Sequence, residues 1–174
     1  EETYANLPPS ISLEKYCPTP GNQGPHGTCT AFASAYHMRT MLYAMEHGLT
    51  SKAQINANIF SPSFIYEQIR LVTPDPNCKE GTDIAQALQL MLTVGAAKIK
   101  DVPYQCSIGI DSDDMLKATE FPLIDYQVLF YVNNKPDDRF KVLSIKKALS
   151  EGSPVLIGFT VYPSFHRRGH SVWT

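Results

Sequence analysis

The run from Cys29 to His47 constrains this chain most. Ala31, Phe32, Ala35, Met38, Leu42 and Met45 recur there at spacings of three and four, and Gly48 follows. Only a helical period keeps such residues on one face, and a glycine just past the last of them is a stop signal. One long helix beginning on a cysteine therefore lies near the start of the core. The residues before it, 7 to 27, are rich in Pro, Gly, Ser and Asn and read as an ordered but irregular lead-in.

Further helices follow. Ser61-Pro62 combines a good N-cap with proline at the first helical position, and Phe64, Ile65, Gln68 and Ile69 continue it until Pro74. Thr82 is expected to cap another helix, with Ile84, Ala87, Leu88, Met91 and Leu92 on one face and Gly95 at its end. The character changes after about residue 100. Phe121 to Val132 is β-branched and aromatic and reads as strand. Ser144 to Glu151 reads as a short helix closed by Gly152, and Pro154 to Tyr162 as a buried strand. A helical first half and a β second half suggest α+β, two lobes with a cleft between them, rather than alternating βαβ units.

Composition narrows the function. The chain has 174 residues, 43% apolar and 18% charged, ordinary for a globular domain. Its net charge is -2, and no basic run exceeds Arg167-Arg168 or Lys146-Lys147, which argues against a nucleic-acid partner. No apolar stretch reaches the roughly 18 residues of a membrane span. Glu1 to Pro9 lacks the basic start and apolar centre of a signal peptide, which leaves open one already removed. Cys17, Cys29, Cys78 and Cys106 include no Cys-x-x-Cys pair, so a structural zinc is not expected, and nucleophilic thiol chemistry implies no metal or organic cofactor. Besides a reactive thiol they leave room for one disulfide and one spare cysteine. This cysteine content suggests a secreted or exported protein, with a delivered effector or a cytoplasmic setting left open.

The chemistry concentrates between Asn22 and Phe32. A glycine-containing loop brings Cys29 to the first turn of the long helix. The positive end of the helix dipole favours thiolate over thiol there. A thiolate attacks carbonyl carbon. The Cys29 backbone N–H has no intrahelical acceptor and is free to donate to an oxyanion. Gln23, six residues upstream, can supply a second donor, each such donor contributing about 3 kcal/mol to lowering the barrier. The blander reading makes Cys29 a small buried apolar residue at a helix start.

The sequence Asn22-Gln23-Gly24-Pro25-His26-Gly27-Thr28-Cys29-Thr30-Ala31-Phe32-Ala33-Ser34 resembles the nucleophile segment of the papain family of cysteine peptidases. The resemblance continues in order through Leu7-Pro8-Pro9-Ser10, Phe60 to Tyr66, Cys78 to Gly81, Val102 to Cys106 and Leu143 to Phe165. It looks closer to bacterial members than to plant papains. It implies a papain-like α+β fold with a helical lobe over 21–100 carrying the nucleophile, and a β-barrel-type lobe over 101–174 lacking its last strands. It implies Cys29 as nucleophile and Gln23 as oxyanion donor. Gly27, Gly81 and Thr82 would contact an extended peptide, with Thr82 and Asp83 near the pocket for the second residue before the scissile bond. For Thr82 and Asp83, helix capping is an equally good role.

Three departures stand out. Thr30 occupies a position usually held by Trp, and His26 replaces a cysteine. The usual disulfide cannot then form; the resemblance leaves a Cys78–Cys106 pairing open, with Cys17 free or otherwise paired. The third concerns the base: the mechanism needs a histidine about 130–150 residues past the cysteine. His166 and His170 fall in that window, yet their surroundings resemble a loop before the family's histidine, with His170 the minor candidate. His26 is too close to Cys29 along a tight loop. Three accounts stay open: a second chain of a processed precursor carries the base, the base lies past residue 174, or the domain is an inactive peptide-binding module. The leading function is peptide-bond hydrolysis of a peptide or protein substrate. A protease toxin held off by a dedicated protein inhibitor is its enzymatic variant.

Overall fold

A computed structural model describes residues 4, 6–131 and 136–162. The predicted long helix is present. Cys29–Ala31 (α1) runs without a break through a π-helical segment, Phe32–Arg39, into Thr40–Glu46 (α2). Gly48 ends it at φ 62°, where Leu49 N–H donates to Ala44 O and Gly48 N–H to Met45 O. That pair of bonds is a Schellman motif, and its positive φ favours glycine at the site. A single 3₁₀ turn, Glu14–Tyr16, and the short helix Lys52–Asn56 (α3) pack beside α2.

Pro62–Arg70 (α4) starts as expected, with Ser61 Oγ accepting the Phe64 N–H at 3.1 Å and Pro62 in the first turn. Ile84–Thr93 (α5) is capped by Asp83 rather than Thr82. The Asp83 carboxylate accepts the N–H groups of Ala85 and Gln86. Ser112–Ala118 (α6) is held by an Asp111/Asp114 capping box. Asp138–Ser150 (α7) starts six residues before the expected Ser144 and ends in a second Schellman turn at Gly152. α4 and α5 pack on each other and on the long helix. Ala31, Ala35, Phe64, Ile65, Ala87 and Met91, each fully buried, fill the seam.

The expected β lobe is not what folds. Among the described residues there is no sheet and no barrel, only one antiparallel bridge between Phe60 and Lys98. The predicted strand from Phe121 to Val132 is unpaired through residue 131, and Val132 lies outside the described residues. Leu123 alone of its described apolar residues is buried, tied by its N–H to Met91 O, while Ile124 is 86% exposed. In 154–162, Leu156 reaches the core, and Ile157, Phe159, Val161 and Tyr162 are exposed. β propensity reports how well a side chain suits a half-buried pleated surface. Both stretches have that composition, but Phe121, Leu123 and Tyr126 of the first and Leu156 of the second pack on the helical core, and no neighbouring strand among the described residues makes the surface.

Cys78 and Cys106 form a disulfide with Cα atoms 5.9 Å apart, while Cys17 and Cys29 are free. No helix among the described residues is long and apolar enough to cross a membrane.

Candidate active site

Cys29 is the first residue of α1 and is solvent-exposed. The first intrahelical bond runs from Phe32 N–H to Thr28 O, so the Cys29 N–H lies outside the ladder. Thr28 is the N-cap, yet its hydroxyl does not cap. It turns instead to the Tyr104 hydroxyl at 2.9 Å. The arrangement is that of a thiol at an open helix start, not of a small residue packed in the core.

The loop leading to Cys29 is braced on several sides. Gly24 has φ 61°, and its N–H meets Asn22 Oδ1. Gln23 Nε2 donates to His26 O at 2.9 Å, which folds the side chain back over the loop. A primary amide carries two N–H donors, so one remains for a ligand. Tyr104 Oη donates to Gln23 O at 2.7 Å. Gly27 N–H donates to Cys78 O at 2.7 Å, and a Cβ on Gly27 would stand 2.6 Å from Lys79 O. Only glycine lets those two backbones approach so closely.

Thr30 donates its hydroxyl to Thr82 O at 2.7 Å. That bond ties the helix start to the segment carrying Gly81 and Thr82. A Cβ on Gly81 would meet nothing within 4 Å, so Gly81 faces open space. Gly81, Thr82 and Asp83 line a pocket with Ile69, Arg70 and Gln86. Arg70 Nη2 donates to Gly81 O, and Thr82 Oγ1 is buried without a partner. Sequence reasoning assigns no role to Arg70 or Tyr104. Arg70 closes α4, eleven residues before Gly81, and Tyr104 lies far along the chain from Cys29.

Among the described residues, no imidazole makes a hydrogen bond to Cys29. His26 sits edge-on to Tyr104 with Nδ1 buried and unpartnered. His37 lies two turns along the long helix, where burial lowers its pKa below the ordinary imidazole value. His166 and His170 lie outside the described residues. No group of three His, Cys, Asp or Glu side chains is placed to hold a metal ion among the described residues.

This architecture matches a solved protease. The chain superposes on xylellain, a cysteine protease from Xylella fastidiosa, with a TM-score of 0.64 at 20% identity. The match covers 87% of this chain and 56% of the xylellain chain. At that identity the likeness establishes a shared fold. No family model and no curated protein matches the sequence.

Proposed function

We propose that this chain carries the nucleophile of a cysteine-type peptidase, with Cys29 as the attacking thiol and Gln23 as oxyanion donor. One observation carries the reading: Cys29 is free and exposed on the first residue of a long helix, at the end of a loop braced through Gln23, Gly27 and Thr28. The protease fold of the neighbour supports it.

The Cys29 thiolate adds to the scissile carbonyl carbon. Negative charge moves to the carbonyl oxygen, where the Cys29 N–H and the second Gln23 amide hydrogen receive it. The C–N bond breaks, and the leaving amine takes a proton from a histidine outside the described residues. Water, giving its proton to that histidine, hydrolyses the thioester and restores the thiolate. The substrate is a peptide in extended form running past Gly81, one side chain entering the pocket beside Thr82.

The test is hydrolysis of a denatured protein substrate by the full-length protein and by its Cys29→Ala variant. The reading requires cleavage that the substitution abolishes. Equal cleavage by both proteins rules out Cys29 as the nucleophile.

A further inference from the structure

We infer that Tyr104 is a positioning residue for the nucleophile loop, acting on the reaction through Gln23. The inference rests on the peptidase reading above and extends it to a side chain that touches neither substrate nor thiol.

The six residues 23–28 hold the oxyanion donor at one end and meet Cys29 at the other. Tyr104 bridges both ends with one oxygen. A phenol has a single hydrogen, and here it goes to Gln23 O at 2.7 Å. The 2.9 Å contact with Thr28 must then run from the Thr28 hydroxyl into the Tyr104 oxygen. Thr28 is only 3% exposed, so its hydroxyl has little water to turn to. The two bonds fix the span between the donor residue and the residue preceding the nucleophile.

Tyr104 can set that span because it is itself held. Its ring meets Phe32 edge-on with centroids 4.8 Å apart. At the next residue, Ser63 Oγ accepts the Gln105 N–H and donates to Gln105 O, both at 2.9 Å. One residue further on, Cys106 is joined to Cys78, whose carbonyl takes the Gly27 N–H. The Tyr104 platform and the Gly27 contact are thus covalently linked and grip the loop from both sides.

Tyr104→Phe keeps the ring and removes only the bridging hydroxyl. The expected loss is on the order of tenfold in kcat, with KM within about twofold, because the donor is misplaced while substrate contacts remain. The experiment is a double-mutant cycle in the full-length protein: wild type, Y104F, Q23A and Y104F/Q23A. Rates are taken per active site titrated with an epoxide, so misfolded molecules drop out. The inference requires Y104F to cost about tenfold in wild type and less than about twofold when Gln23 is already Ala. Equal losses in both backgrounds, or an unchanged kcat in Y104F, overturn it. A wild type that cleaves nothing and leaves Cys29 unlabelled overturns the peptidase reading, and this inference with it.

Discussion

Gly27 and Gly81 show how one residue type serves two purposes near Cys29. A methyl on Gly27 would meet the Lys79 and Glu80 backbone at 2.6–2.7 Å, and backbone cannot swing aside. Gly27→Ala is expected to cost about 1–3 kcal/mol, read by chemical denaturation, and to disturb the thiol loop. A methyl on Gly81 meets nothing within 4 Å. Gly81→Ala should leave stability unchanged or slightly raised, yet lower kcat/KM by crowding the peptide path, as steady-state kinetics will show. For Gln23→Ala the expectation is a fall in kcat of about 10²–10³ with folding intact. Asp75 belongs to the segment that braces Gly27. The Glu80 N–H, with the Tyr66 hydroxyl and the Asn77 N–H assisting, holds its carboxyl below the ordinary carboxylate range. A depressed folded value means the carboxylate stabilises the fold above its unfolded pKa, and that this contribution fades as pH falls through the folded one. Asp75→Asn should therefore melt below wild type at about pH 7, with the gap closing below about pH 4. The placement of Cys29 at a helix start, with Gln23 on the loop six residues before it, was legible because its signals are local. Tyr104 was not, because its meaning is a contact across the fold, and no spacing encodes that.

The helices were legible where two signals agreed. Ser61-Pro62 marks a start by both cap and φ preference, and Gly48 and Gly152 end helices in left-handed geometry. α6 lacked a clear apolar stripe, and only the Asp111/Asp114 capping box marks it. Asp83 outdid Thr82 as cap of α5 because its carboxylate reaches two N–H donors at once, whereas the Thr82 carbonyl is engaged by Thr30. The strands failed for a physical reason: a strand exists only with a neighbour, and composition cannot supply one. Packing along α5 gives a direct check. Met91 is fully buried between the helices, so Met91→Ala should cost about 2–5 kcal/mol. Leu116 on α6 is 68% exposed, and its replacement by Ala should change stability by no more than about 0.5 kcal/mol. Urea titration of the two variants compares them on one scale.

Across the whole molecule, the Cys78–Cys106 bridge joins the two segments that grip the thiol loop, across 28 residues of chain. A loop of that size corresponds to about 3–4 kcal/mol in the chain-entropy view. Cys78→Ser/Cys106→Ser should lose stability of that order by denaturant titration, while Cys29 stays reduced and exposed. The fold, shared with xylellain, ties Gly27 to Cys78 and Thr30 to Thr82, so that the segment carrying Gly81 and Thr82 lies against the start of the helix that Cys29 opens. The central claim of the proposal is that Cys29 is the reacting nucleophile and Cys17 is not. Cys17 is half-buried, with its thiol pKa raised by that burial. The decisive measurement is treatment of the reduced full-length protein with an epoxide inhibitor of papain-like enzymes, followed by peptide mapping of the adduct. A single adduct on Cys29, formed in proportion to loss of peptidase activity, is the expected result. An unmodified Cys29 in folded, reduced protein, or labelling spread equally over Cys17, contradicts the account.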